Sequence, residues 1–355
     1  MISKNKLKIL VVDDSAVIRQ TLISIISSQS DMEVIATATD PYIAVGKLKS
    51  EKPDVILLDI QMPRMDGITF LKKIMTQHPV PVIIISSLTR KDSKVALSAF
   101  KYGAIDVINK PEMSSGLLSE KWKENLIDAI KAAANSKFSR NKISLKKDPE
   151  LITKITKLTT IGKIKCNSFI LIGSSAGGTE VIFKIISQLN KRTAPILIVQ
   201  HMPSIFTQSY AERLNEHSEV VVREAVSGDE LYRGLALIAP GNKHMELNNK
   251  LGSIVVNINS KDKVNRHRPS VDVLFNSSIN MPGSKIMAII LSGMGDDGSK
   301  GMLKLKEVGA ITIAQNRESS IVFGMPQQAI KTGAADHELS IDEIVKMINK
   351  FSAEI

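Results

Sequence analysis

Three residues far apart in the chain are the parts of a hydrolytic triad. Ser175 lies in Gly173-Ser174-Ser175-Ala176-Gly177-Gly178, His201 in Gln200-His201-Met202-Pro203, and Asp297 in Gly293-Met294-Gly295-Asp296-Asp297-Gly298. Each follows an apolar run of strand character, at 169–173, 195–200 and 286–291. A serine becomes a nucleophile when a histidine takes its proton and an acid orients that histidine and balances its charge. The serine sits on a turn into a helix expected over 179–189. Free N–H groups at such a helix start can stabilise an oxyanion. A phosphate-binding loop would look similar, but no Lys-Ser/Thr follows and no complete G-x-G-x-x-G is present. His244 and His267 compete for the role of base; His201 is preferred because it alone directly ends a strong apolar strand.

A second constellation precedes the first. Apolar runs at 7–12, 34–38, 55–59, 82–87 and 106–110 alternate with helix-like stretches. Asp40-Pro41 reads as an N-cap with proline in the first helical position. Asp13, Asp14, Asp59, Ser86 and Lys110 fall at the ends of these runs. Three carboxylates brought together repel one another unless they share a hard divalent cation, and Mg2+ takes such oxygen ligands. A carboxylate nucleophile beside Mg2+ and a lysine suits phosphoryl transfer.

These residues demand two open sheets. Continuous apolar strands alternating with helices imply parallel sheets covered on both faces, with ligands at the carboxyl ends of the strands. The expected fold class is therefore α/β, with two doubly wound parallel-sheet domains. The 355 residues fit two domains, and the composition, 43% hydrophobic but only 4% aromatic, fits aliphatic cores. The expected boundaries are 1–135 for the first domain, 136–166 for a linker and 167–355 for the second.

The net charge of +11 raises a nucleic-acid reading. Segment 136–166, however, holds nine basic residues against Asp148 and Glu150, most of the total excess. It reads as a solvated basic linker, with an acidic partner surface as the alternative. No nucleic-acid partner is expected. One cysteine, Cys166, excludes an internal disulfide framework and a cysteine-based zinc site, and suits a reducing cytoplasm. No signal-like segment opens the chain, and no apolar run reaches the roughly 18–20 residues that span a bilayer. The expectation is a cytoplasmic protein, not membrane-inserted. No dimer seam is apparent, so a monomer is the default.

The motifs carry resemblances. Residues 7 to about 133 resemble a response-regulator receiver domain, of flavodoxin-like fold. The resemblance implies that Asp59 accepts a phosphoryl group from a chemotaxis histidine kinase. Asp13, Asp14, Asp59 and the backbone carbonyl of Gln61 would hold Mg2+, Lys110 would pair with phosphoryl oxygens, and Ser86 would sense the phosphate, with Ser87 adjacent. Val107 stands where many receivers carry an aromatic switch residue, so a changed domain contact is the expected output.

Residues 168 to 355 resemble the catalytic domain of the chemotaxis protein-glutamate methylesterases, the CheB family, of Rossmann-like fold. The resemblance rests on Ile172 to Glu180, Val199-Gln200-His201-Met202, Ala239 to Met245, Asn265 to Asp272, Leu291 to Gly298 and Val322-Phe323-Gly324-Met325-Pro326. It implies Ser175 as nucleophile, His201 as base and Asp297 as acid, with Ala176 and the Met294 backbone at the oxyanion site. It also implies hydrolysis of glutamate methyl esters and glutamine amides on methyl-accepting chemotaxis receptors, with no metal used in that step. Ala176 replaces a frequent threonine, and Asp296 a frequent asparagine; the negative charge that Asp296 adds could tune the histidine. Arg266, His267 and Arg268 are expected to line the cleft and face acidic receptor helices. A binding-only adaptor is the contrasting reading, and a DNA-binding regulator is disfavoured because the second half lacks a compact helix-turn-helix.

Overall fold

The computed structural model describes residues 6–87, 93–111, 119–136, 166, 168–250, 252–281 and 283–355. Most of the expected linker, including the stretch 151–158, lies outside them.

The first half forms five strands: β1 (Leu7–Val12), β2 (Met32–Ala38), β3 (Val55–Leu58), β4 (Val82–Ser86) and β5 (Asp106–Asn109). All pairs are parallel, in the order β2-β1-β3-β4-β5. Helices α1 (Ala16–Ser27), α2 (Pro41–Ser50), α3 (Gly67–Gln77), α4 (Ser93–Lys101) and α5 (Glu120–Ala134) cover the sheet. Three starts are set by side-chain caps, each satisfying N–H groups that a helix end leaves free. Ser15 accepts from the Ile18 N–H, Asp40 from those of Tyr42 and Ile43, and Asp66 from that of Thr69.

The second half carries β6 (Phe169–Ser174), β7 (Ile196–Gln200), β8 (Val221–Glu224), β9 (Leu235–Ile238), β10 (His244–Lys250), β11 (Ser253–Asn259), β12 (Ile286–Ile290), β13 (Ile311–Gln315) and β14 (His337–Leu339). Seven strands make one parallel sheet in the order β14-β13-β12-β6-β7-β9-β8. Its helices are α6 (Gly178–Ile186), α7 (Ser204–Glu216), α8 (Val271–Ser278), α9 (Ser299–Glu307), α10 (Met325–Lys331) and α11 (Ile341–Ala353). The central strands β6, β7 and β12 are buried throughout, as parallel strands between two helical layers must be.

One element departs from the all-parallel expectation. β10 and β11 pair antiparallel as a ribbon outside the main sheet. Met245, Leu247, Ile254 and Val256 face inward and join the core containing Phe169, Leu274 and Phe275, whereas Asn248, Asn249 and Lys250 stay exposed. That half-buried pattern belongs to an antiparallel ribbon with one wet face.

The two halves pack together. Helix α4 lies against α7 and α6. Phe100 of α4 shares an apolar cluster with Val181, Met202 and Phe206, and Ala176 and Val322 join the first-half cluster of Ile105 and Leu126. The Gly177 N–H donates to the Ile105 carbonyl at 3.1 Å.

Glycine is required where α6 starts. A Cβ on Gly178 would lie 1.6 Å from the Ser174 Oγ, which itself donates to the Ser292 carbonyl at 2.9 Å. Gly178→Ala is expected to cost about 1–3 kcal/mol by overpacking. Calorimetry should show the second-half transition lowered by roughly 2–4 °C per kcal/mol.

Candidate active site

Strands β12, β6 and β7 lie side by side, and Asp297, Ser175 and His201 follow them in that order. The chain runs from β6 outward on both sides, so this is the switch point at which an open parallel sheet forms its crevice. Backbone bonds lock the three loops together. The Ser175 N–H donates to the Ser292 carbonyl at 3.0 Å, and the His201 N–H to the Ser174 carbonyl at 3.0 Å. The amide of Gln200 donates to the Ser175 carbonyl at 2.9 Å. A Cβ on Gly293 would come within 2.9 Å of the Ser175 Cβ, so only glycine lets that loop close over the serine.

The two adjacent serines differ in role. Ser174 is fully buried and spends its hydroxyl on Ser292. Ser175 is half-buried, and its hydroxyl makes no hydrogen bond among the described residues. The N–H groups of Ala176 and Met294 also have no acceptor among the described residues, and remain available to a developing negative charge.

The His201 Nε2 lies 2.9 Å from the Asp297 Oδ2. Asp297 accepts further bonds from the Ser270 hydroxyl (2.7 Å), the Asn265 amide (2.8 Å), and the N–H groups of Val271 (2.7 Å) and Asp272 (3.2 Å). Burial alone would raise this carboxyl, but the bond and charge of His201, with Asn265 and Val271, hold it well below the usual carboxylate range. An ionised carboxylate only accepts, so Nε2 carries the proton. The Nδ1 of His201 is buried without a partner among the described residues, and is the nitrogen left to act as a base.

The remaining histidines and arginines are placed differently from one another. His244 is fully buried, with Nε2 at 2.9 Å from the Asp262 carbonyl and Nδ1 accepting from the Ser270 N–H. His267 stacks on His201, with ring centroids 3.8 Å apart and planes 11° from parallel. Arg266 lies 3.7 Å from Asp128 of α5. Arg268 donates to Asn242 and to the carbonyls of Ser260 and Lys261, which ties the ribbon to its neighbouring loop. Asp296 is exposed and makes no bond to His201.

The acidic site of the first half also assembles. Ligand oxygens of Asp13, Asp14 and Asp59 lie within 4.8 Å of one another. The Lys110 ammonium reaches Asp59 Oδ2 at 2.7 Å and Asp13 Oδ2 at 2.8 Å. Burial raises the Asp59 carboxyl, which Lys110 opposes. Burial would lower Lys110, but its bonds to Asp13 and Asp59 outweigh this and raise it. The Gln61 N–H donates to Asp59 Oδ1 at 3.3 Å. Ser86 is buried with no partner for its hydroxyl among the described residues, whereas Ser87 is exposed and donates to the Gln61 side chain. An all-oxygen donor set with an idle hydroxyl fits a hard divalent cation and the oxygens it would bring.

The first half also covers the mouth of the second. Ile105, Asp106 and Val107 line one cavity with Ser175, Gly177 and His201. Burial pushes the Asp106 carboxyl up to about 6, opposed by the Val107 N–H and by His201. Asp106 gave no signal in the sequence, because its position depends on docking between two domains. Asn265 and Ser270 were also missed as partners of the acid; both lie within the motif 265–272, where a buried acceptor 27 or more residues away gives no local pattern.

The chain is similar to known proteins over nearly its whole length. The family model for the CheB methylesterase matches residues 170–348, and that for the response regulator receiver domain matches residues 9–120. A protein-glutamate methylesterase/protein-glutamine glutaminase of Geobacter metallireducens is 43% identical over 350 residues, covering 97% of this chain and 98% of the relative. One from Pseudomonas syringae pv. tomato is 44% identical over 354 residues, covering 97% and 98%. The crystal structure of the Thermotoga maritima CheB methylesterase catalytic domain is similar at 40% identity and a TM-score of 0.51, over 52% of this chain and 98% of that one. With a receiver sheet, a hydrolase sheet and near full-length likeness, the chain belongs to the CheB methylesterase family.

Proposed function

We propose that this protein is a phosphorylation-regulated serine hydrolase that removes methyl groups from glutamate esters, and deamidates glutamines, on methyl-accepting chemotaxis receptors. The observation that carries the reading is the His201–Asp297 bond at 2.9 Å beside the unengaged Ser175 hydroxyl, on three adjacent strand ends. Ser175 attacks the ester carbonyl and His201 takes its proton on Nδ1. Asp297 stabilises the imidazolium that forms. The Ala176 and Met294 N–H groups bind the oxyanion. His201 returns the proton to the departing methoxide, giving methanol and an acyl-enzyme. Water, activated by the same nitrogen, then releases the glutamate carboxylate. A glutamine amide follows the same course and loses ammonia.

Asp59 is the phosphoacceptor in this reading, with a chemotaxis histidine kinase as donor. Asp13, Asp14, Asp59 and the Gln61 carbonyl would hold Mg2+, which offsets charge on the transferring phosphoryl group. Lys110 exchanges its carboxylate partners for phosphoryl oxygens, and the Ser86 hydroxyl turns to them. Lys110 follows β5 directly, and Asp106, at the other end of that strand, sits in the hydrolase mouth. A shift of β5 at one end therefore moves the cover at the other, and phosphorylation favours the open population. No helix among the described residues is long and apolar enough to cross a membrane; a cytoplasmic site of action is proposed from the receptor and kinase partners of this reading. A monomer completes the hydrolytic site, since Ser175, His201 and Asp297 all come from one chain.

Methanol release from methyl-esterified receptor, with acetyl phosphate and Mg2+, is expected from the wild type and is expected to fall to background in Ser175→Ala. Equal release from both would reject Ser175 as the nucleophile, and none from either would favour the adaptor reading. Asp59→Asn should retain the idle rate and lose its response to the phosphodonor; an unchanged response would exclude gating through Asp59.

Closure is also expected to depend on pH. The Asp106 carboxyl is raised to about 6 when closed, against about 3.9 in solvent. The closed form thus binds the proton more tightly, and closure weakens as pH rises through about 6. Hydrogen exchange at the Gly177 amide, corrected for its intrinsic rate, should speed up between about pH 5 and 7.5 in the wild type but not in Asp106→Asn. A pH-independent wild type would remove Asp106 from the latch.

A further inference from the structure

Two residues of one short loop reach two different members of the triad. The Asn265 amide nitrogen has two protons and gives one to Asp297 Oδ1 at 2.8 Å and one to Asp272 Oδ2 at 2.6 Å. Asp272 is buried, and its other oxygen accepts from the Gly301 N–H at 2.6 Å. Asn265 thus bridges two buried carboxylates that would otherwise repel, and each fixes the angle at which it meets the other. Its backbone sits at φ 52°, a left-handed position that asparagine tolerates better than most residues. Two residues on, His267 lies flat against His201 at 3.8 Å. The acid is therefore held through one carboxylate oxygen, and the base on one face of its ring, by the same five-residue stretch from Val264 to Arg268. Val264 and His267 close that stretch on itself with reciprocal backbone bonds of 3.2 and 2.9 Å.

We propose that the loop bearing Asn265 and His267 is a positioning clamp on the triad, which fixes the acid through the Asn265 amide and the base through the His267 ring. The inference rests on the reading of His201 and Asp297 as base and acid. Asn265 reaches the base only through Asp297, and His267 meets it by the face of its ring. The stacked His267 fixes the plane of the His201 ring, and the Nε2 bond to Asp297 decides which nitrogen is left as the base. An imidazole held by one hydrogen bond alone can pivot about it; a stacked neighbour removes that freedom. A small angular error at a base is costly, because proton transfer needs close alignment at hydrogen-bond distance.

Two measurements on the full chain test this. The first is the downfield imidazole proton of His201 Nε2, observed by NMR with labelled histidine, which requires no substrate. The second is kcat and KM for receptor demethylation with acetyl phosphate and Mg2+. In Asn265→Leu the Nε2 proton signal is expected to broaden away, and kcat to fall on the order of tenfold to a hundredfold, the range typical when a group that orients a functional side chain is removed. KM should stay within about twofold. His267→Ala should behave likewise, and His267→Phe, which keeps a flat ring on His201, should restore both signal and rate. Folding is checked by the amide spectrum; should Asn265→Leu unfold, the His267 pair decides, and should His267→Ala unfold, Asn265→Leu and His267→Phe decide. An intact Nε2 signal in a slowed variant, an unchanged kcat, or equal loss in His267→Ala and His267→Phe would each overturn the clamp. Because the NMR signal does not depend on turnover, a wild type that shows it but fails to demethylate receptor would contradict the proposed function and leave the clamp standing.

Discussion

The hydrolase half is organised around one buried negative charge. Asp297 is almost fully excluded from solvent, yet its carboxyl is held well below the usual range and stays ionised. A carboxylate in that position is tolerable only if protein donors replace its water. The fold supplies five: His201 from the loop after β7, Asn265 from the loop following the antiparallel ribbon, and Ser270, Val271 and Asp272 at the start of α8. Much of the second half can be read as the means of delivering those groups. The ribbon brings its outgoing loop past the sheet edge, α8 points its first N–H groups at the acid, and buried His244 braces the Ser270 backbone from behind. A helix start is where free N–H groups and the positive end of a helix dipole coincide.

The same economy appears at the domain boundary. The receiver uses backbone as well as side chain to cover the mouth: the Ile105 carbonyl occupies the Gly177 N–H, at the turn that presents Ser175. Apolar packing of Phe100, Met202 and Phe206 supplies the bulk of the contact, and burial of Asp106 works against it. An interface that includes an uncomfortable carboxylate is easier to open than a purely apolar one. That suits a surface meant to separate on a signal.

Much of this was legible in the sequence. Eight apolar runs gave eight of the parallel strands to within one or two residues, whereas β8, β9, β13 and β14 were not read. The helix cap Asp40 could be read because its bonds span only two or three residues. The ribbon β10–β11 was not anticipated: its alternation is short and its turn falls in a polar stretch, so the surrounding α/β rhythm masked it. Arg268 could not be told from a substrate-facing arginine, since only the folded ribbon shows that its guanidinium is occupied by Asn242 and two carbonyls. Val107 lines the cavity shared with Ser175 and His201, a placement that could not be read from one strand.

The covered mouth has a consequence for how the protein counts its substrates. On the proposed function, receiver and receptor compete for one opening, and only the receiver is tethered to it. A tethered competitor is present at an effective concentration that is commonly millimolar. A receptor in dilute solution therefore meets an occupied site, whereas receptors packed together at comparable local density displace the cover by mass action. Substrate crowding then acts as a second input beside the phosphoryl group, and the idle turnover of the enzyme measures how closely its substrates are arrayed.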